Sequence, residues 1–395
     1  MFITSFIHRE ELFRMTERWL CDQLHLGDAE RLTKILICDG FVLGETLKNL
    51  SRLLLDVIGV HSFETRRVHW KGELRELMCK SLPATNGRMQ ALFALYSGNP
   101  EFFYVETPVN GFACIGADGQ LLAMYRVKRP KRIAEKANRY IANWIFGQVQ
   151  DKARRMAEMR AEKLGIQLQS LLTPEEDMAL EFIAAEDNIS RGFRDASINL
   201  DKSALTINDI GGIKIILDED RQMLLEEILG RHDSIRIVEK EEHQGAYRAK
   251  NFILEISWDP EQVCGSYRDS QAWRRYVNRG IEPGELQKGL EPWFQNADPT
   301  IRVEMILSTF PNMVESELGV SIHEERVASQ RDHRVYRGYV PMNVEFLVEY
   351  LFAVGLSPRI TIERLPIKLW GRYLPDSIGY HIRQLYCVPE FDELY

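Results

Sequence analysis

Apolar residues recur at helical spacing over 9–60, at Leu12, Met15 and Trp19 and again at Leu43, Leu47, Leu50 and Leu54. This spacing predicts helices packed on a common core. From 84 to 124 the period shortens. Residues 102–105 read as a strand, and 111–124 as a hairpin turning at Asp118-Gly119, a dipeptide suited to tight turns. Helical texture returns over 131–190, where Thr173-Pro174-Glu175-Glu176 is a start signal. Beyond 208 the elements shorten. Residues 213–217 form a β-branched run, and 218–230 carry Met223, Leu224, Leu225, Ile228 and Leu229 at helical spacing before a glycine. Strands follow at 234–238 and 252–258. Residues 264–299 hold no sustained period and predict an inserted lobe or long loop. In the strand 301–307, Ile301, Val303, Met305 and Leu307 face one side while Arg302, Glu304 and Ile306 face the other. A helix is expected from 311 to about 327, then a helix at 343–355 and a strand at 359–365. The order strand, helix, three strands, helix predicts an α+β fold around a small mixed sheet.

Composition changes this picture little. The 395 residues are 45% hydrophobic and 27% charged, as in an ordinary globular protein. The length predicts more than one domain. A net charge of −8 excludes a chain that coats nucleic acid through its overall field. Six scattered cysteines lack metal-ligand spacing. No signal-peptide pattern opens the chain, and Glu349 breaks the best apolar run, 345–356. The cytoplasm is the compartment expected.

Local charge matters more. Residues 121–160 hold eleven Lys/Arg against three acids. A run of this kind is commonly a solvated helical face. Here it precedes two carboxylates expected at neighbouring strands, Asp209 in Asn208-Asp209-Ile210-Gly211-Gly212-Ile213-Lys214 and Glu304 in the 301–307 strand. A basic cluster that neutralises a triphosphate, with two acids able to hold Mg²⁺, is what phosphoryl-type transfer requires.

Four blocks carry a resemblance. Arg126-Val127-Lys128 with Ile133 and Lys136 is similar to the basic ATP-binding segment of the RelA/SpoT alarmone synthetase family. Asp209–Ile216 resembles its Asp-(Leu/Ile)-x-Gly-(Ile/Val)-Arg strand. Gln244-Gly245-Ala246-Tyr247-Arg248 resembles its Asn-Gly-Tyr-Arg-Ser block. Glu304–Thr309, with Gly319-Val320-Ser321-Ile322-His323 downstream, resembles its Glu-x-Gln-x-Arg-Thr strand and following helix. The matching stretches cover about a quarter of the chain and keep the family's order.

The resemblance implies a nucleotidyltransferase-like mixed sheet over 121–330, with inserts at about 137–207 and 260–299, flanked by accessory regions 1–120 and 331–395. It also implies Mg²⁺-dependent transfer of pyrophosphate from ATP to a ribose hydroxyl of a nucleotide, GDP or GTP in the family. Asp209 and Glu304 would be the catalytic, metal-holding acids. Arg126, Lys128, Arg132 and Lys136 would bind ATP, and Tyr247, Lys214 and Lys240 the acceptor. The family's Gln and Arg are Ile306 and Ser308 here, its Gly before the Tyr is Ala246, and its later His is Asn251. These departures leave the acceptor open: an adenine nucleotide, the 3′ end of tRNA, or a domain that binds a nucleotide or partner without turnover.

Overall fold

The computed structural model describes residues 1–81, 86–244, 248–319, 338–373 and 375–387. Its strands are β1 (Phe2–Ile3), β2 (Phe63–Trp70), β3 (Pro108–Gly116), β4 (Leu121–Val127), β5 (Thr206–Ile207), β6 (Gly211–Ile216), β7 (Ile235–Gln244), β8 (Arg248–Ser257) and β9 (Thr300–Ser308). Its helices are α1 (Arg9–Leu20), α2 (Asp28–Val57), α3 (Lys71–Lys80), α4 (Gly87–Gly98), α5 (Pro130–Leu164), α6 (Glu175–Arg194), α7 (Glu219–Leu229), α8 (Pro260–Asp269), α9 (Pro283–Lys288), α10 (Phe310–Leu318), α11 (Tyr339–Leu356) and α12 (Pro375–Leu385).

Seven strands form one mixed sheet in the order β2-β3-β4-β6-β9-β8-β7, in which only β6 and β9 run parallel. The chain is thus α+β. Cross-strand partners share a face, so two sets of side chains separate. Tyr125, Ile213, Met305, Phe252 and Leu254 lie in the larger core with buried residues of α2, α5 and α11. On the other face, Ile216 packs with Leu74, Met89, Phe310 and Val314 from α3, α4 and α10. Beyond that second core the face turns polar.

The β3–β4 hairpin turns as expected: Gly119 has φ +80°, and the Asp118 carboxylate accepts from the Gln120 amide at 3.0 Å. It also spans the boundary drawn at 120, so strands upstream and downstream of that line share hydrogen bonds. Three expectations need correction. Residues 102–105 are not a strand: they end a 3-10 turn over Pro100–Phe103, because Pro100 starts a helical turn and Tyr104 leaves it in the left-handed region. Residues 359–365 are irregular. Residues 264–299 are not one loop, since they contain most of α8, two 3-10 turns and α9, built around buried Tyr267, Leu286 and Trp293.

A strap at the start of the chain ties the sheet to its approach loop. β1 pairs in parallel with β5. The Thr4 amide donates to Ile207 O at 3.1 Å, and its hydroxyl to Asn208 Oδ1 at 2.8 Å. The Arg302 amide donates to Thr4 O at 3.0 Å, and the Ser5 hydroxyl to Arg302 O at 2.7 Å. Among the described residues α11 alone has the length and composition to cross a membrane, and it is largely buried against α5 and α2.

Candidate functional site

Three central strands and one helix end supply the site. Asp209 lies in the turn entering β6, whose Gly212 stands opposite Arg126 on β4 and Glu304 on β9. A Cβ at 212 would lie 3.5 Å from Glu304 Oε2, so the glycine leaves that flank of the carboxylate open. The Lys128 amide donates to Ile210 O at 2.8 Å, which extends the β4–β6 pairing to the Asp209 turn. Pro130 then occupies the first turn of α5, where its fixed φ suits a helix start and its missing N–H costs nothing. No side chain caps this 35-residue helix and no acid sits in its first turn. Its N-terminal dipole end therefore adds to the positive charge nearby.

The charges converge on Asp209. Its Oδ2 lies 2.6 Å from Lys128 Nζ and 2.5 Å from Lys136 Nζ. Burial would raise the Asp209 pKa, yet the two ammonium groups hold it at about 2. Burial pulls Lys128 below the ordinary lysine value, although Asp209 and Glu304 oppose this. One acid shared by two cations explains the asymmetry: the carboxylate gains two partners while each lysine also meets the other's charge.

The buried side-chain oxygens without a hydrogen-bond partner among the described residues include Asp209 Oδ1 and Asn251 Oδ1. Asn251, on β8, donates through Nδ2 to Glu304 Oε1 at 3.1 Å. An orphaned buried carboxylate oxygen fits a hard divalent cation, and Asp209 with Glu304 would be the residues to hold it. In the sequence Asn251 stands out only as a departure from a family pattern. No periodicity marks it, because its role comes from its place one strand away from Glu304.

The predicted residues divide. Lys128 and Lys136 meet at Asp209, Lys128 also feels the Glu304 charge, and Arg126 stands across Gly212 from Glu304. Arg132 is on the same helix and pairs with Glu135 one turn on. Lys214 is on the Glu304 face, opposite Ile306, where a buried cluster surrounds it. There Glu317 binds Lys71 at 2.7 Å and Arg75 at 3.5 Å. Burial chiefly, and the Lys71 and Arg126 charges, lower the Lys214 pKa against the pull of Glu317. Lys240 does not join them. It is paired with Phe252, hence on the opposite face of the sheet, and Glu226 of α7 holds it there. Alternation along β7, shifted by the bulge between Ile237 and Glu239, decides this. Tyr247 and His323 lie outside the described residues.

A second polar group converges elsewhere. His8, Cys38 and Asp39 place their ligand atoms within 4.8 Å of one another in the core. Both Asp39 oxygens are engaged by His8, through Nδ1 at 2.6 Å and the backbone amide at 2.9 Å.

No family model matches the chain, and no curated protein matches it in sequence. Among solved structures, the small alarmone synthetase 1 from Bacillus subtilis is similar over 53% of this chain and 89% of that one, at 12% identity and a TM-score of 0.20. A TM-score so low carries no argument about fold or activity. The functional reading rests on the geometry of Asp209 and its neighbours.

Proposed function

We propose that the chain catalyses Mg²⁺-dependent transfer of the β,γ-pyrophosphoryl group of ATP to a ribose hydroxyl of a nucleotide acceptor, as in alarmone synthesis on GDP or GTP. The observation that carries this reading is the Asp209 carboxylate, one oxygen between Lys128 and Lys136 and the other buried without a partner. Phosphates entering the site would exchange with Asp209 for the two lysines, because a polyanion offers each ammonium more charge than half a carboxylate. Arg126 and the α5 N-terminus would add planar and dipolar contacts to the same anion. Asp209 and Glu304 would hold Mg²⁺, which when bound supplies charge neutralisation on the phosphate oxygens. Glu304, its orientation set by Asn251, would accept the proton of the attacking hydroxyl. The new bond joins that oxygen to the β-phosphorus, the α–β bridging bond breaks, and AMP leaves. Positioning and neutralisation carry most of such a transfer.

The test is incubation of the protein with γ-labelled ATP and, in turn, GDP, GTP, ATP and tRNA. A labelled pyrophosphorylated product that disappears in Asp209→Asn is expected. No transfer to any acceptor, or transfer undiminished in Asp209→Asn, overturns the reading.

One observation favours a different acceptor for the same chemistry. Where the family has Gln and Arg, half-buried Ile306 offers no hydrogen bond, and the buried Ser308 hydroxyl donates to Thr309 O at 3.2 Å. Neither side chain offers groups that would read guanine. Label on an adenine nucleotide or the tRNA 3′ end, with none on GDP or GTP, selects this alternative.

A further inference from the structure

The helical hairpin of α5 and α6 ends in a tip that the rest of the described chain leaves uncovered. Every residue from 174 to 180 is exposed, so the first turns of α6 have no buried side. The tip nevertheless carries Met159 (57% exposed), Leu164 (61%), Leu172 (95%), Met178 (45%), Leu180 (63%) and Ile183 (48%). Monomeric proteins rarely leave a contiguous apolar patch above a few hundred Å² in water. These side chains come from both helices and from the loop between them, and Leu180 and Ile183 share one face of α6.

The charge pattern says what covers them. The distal part of α5, 151–164, holds five bases and three acids, whereas 175–187 of α6 hold six acids and no base. Within the chain only part of this is used: Arg160 pairs with Glu181 at 2.8 Å and Arg154 with Glu158 at 3.0 Å, while Glu186 accepts from the Val340 amide at 2.9 Å and Asp187 from the Tyr339 hydroxyl at 2.8 Å. Among the described residues Lys152, Arg155 and Lys163 on one helix, and Glu175, Glu176 and Asp177 on the other, make no ion pair. A surface with a basic helix beside an acidic one, both edged with apolar residues, is complementary to itself under a two-fold rotation.

We propose that two copies of this chain associate through their α5–α6 tips, α5 of each against α6 of the other, closing an antiparallel four-helix bundle. Two exposed hairpins then bury their apolar edges as the core of that bundle. The basic and acidic turns left without partners pair across the rim and set the register. This dimer stands independently of the catalytic reading, since the tip contributes none of the residues around Asp209.

Sedimentation equilibrium on the full chain tests it. A mass of twice 45.9 kDa is expected in the micromolar range. Leu172→Glu with Leu180→Glu should give a monomer whose circular dichroism and melting temperature match the monomer fraction of the parent, because both side chains already face water. Charge exchange supplies the decisive arm. Glu175→Lys, Glu176→Lys and Asp177→Lys in one chain, and Lys152→Glu, Arg155→Glu and Lys163→Glu in another, should each be monomeric alone and form a one-to-one dimer when mixed. A parent chain monomeric at about 50 μM, well above the Kd of a standard interface, overturns the proposal. So does a dimer indifferent to the double Glu variant, or a tip that binds nucleic acid or a different protein while the chain stays single.

Discussion

Glu317 contacts both Lys71 and Arg75 in a buried cluster that also includes Lys214, so Glu317→Gln removes one electrostatic contribution at nearly constant volume. Burial would raise the Glu317 pKa, but Lys71, Lys214 and Arg75 hold it at about 2 against an ordinary 4.5. That displacement corresponds to about 3 kcal/mol of preferential stabilisation of the charged form. Mutational experience with one partner removed from a buried pair gives a similar figure, about 3–5 kcal/mol. We therefore expect Glu317→Gln to lose about 3 kcal/mol at pH 7, read from urea denaturation followed by circular dichroism with unchanged m value. Linkage fixes the pH dependence. An acid whose folded pKa is depressed contributes stability above its unfolded value of about 4.5 and loses it as pH falls toward about 2. Parent and variant curves should thus converge between those limits. A loss below about 1 kcal/mol at pH 7, or a gap that persists at acid pH, would refute the electrostatic account of this cluster.

Other outcomes follow from the same structure. Lys128→Ala or Lys136→Ala should move the Asp209 pKa upward from about 2 in a carboxylate NMR titration, and a fixed value would contradict the shared pairing. Asp209→Asn should lower pyrophosphoryl transfer by at least about two orders of magnitude, or roughly 3 kcal/mol of barrier, in the labelled-ATP assay. Burial lowers the His8 pKa, but Asp39 outweighs it and the net shift is upward, with Arg31 opposing, Glu11 assisting and the Cys38 thiol alongside. This contribution to stability is complete below pH 6.5 and fades as pH rises through the raised value; the Asp39→Asn chain should lack that slope. Gly280 has φ +78°, and a Cβ there would strike the Pro358 carbonyl. Gly280→Ala should cost at least about 2 kcal/mol in denaturant, and a neutral result would show the backbone relaxes at that corner.

Much of the architecture could be read from spacing alone. Alternation at 301–307 assigned Glu304 to the face opposite Met305, and the sheet keeps that assignment. The Asp118-Gly119 dipeptide located its hairpin because the turn chemistry is local. Sites built by register were harder. Lys240 lies on the face away from Glu304 because a bulge two residues earlier resets which side of β7 it occupies, and no local signal reports a bulge. Asn251 could not be seen as a partner of Glu304, since the two meet only after β8 and β9 pair antiparallel. Lys71 and Arg75 lie a turn apart on α3 but far in sequence from Glu317, and the burial of all three depends on α3 and α10 packing together. Residues 359–365 have strand composition but no edge to join, and composition cannot supply one.

The segment at Thr4 and Ser5 joins the turn before Asp209 to the head of the strand bearing Glu304, using bonds outside the main sheet. Alignment of the two acids therefore depends on side chains that touch neither of them. Thr4→Val or Ser5→Ala would read in an activity screen as damage to the chemistry while leaving every candidate ligand intact. A chain shortened by its first nine residues would keep the whole constellation in sequence and lose the splint that sets its spacing.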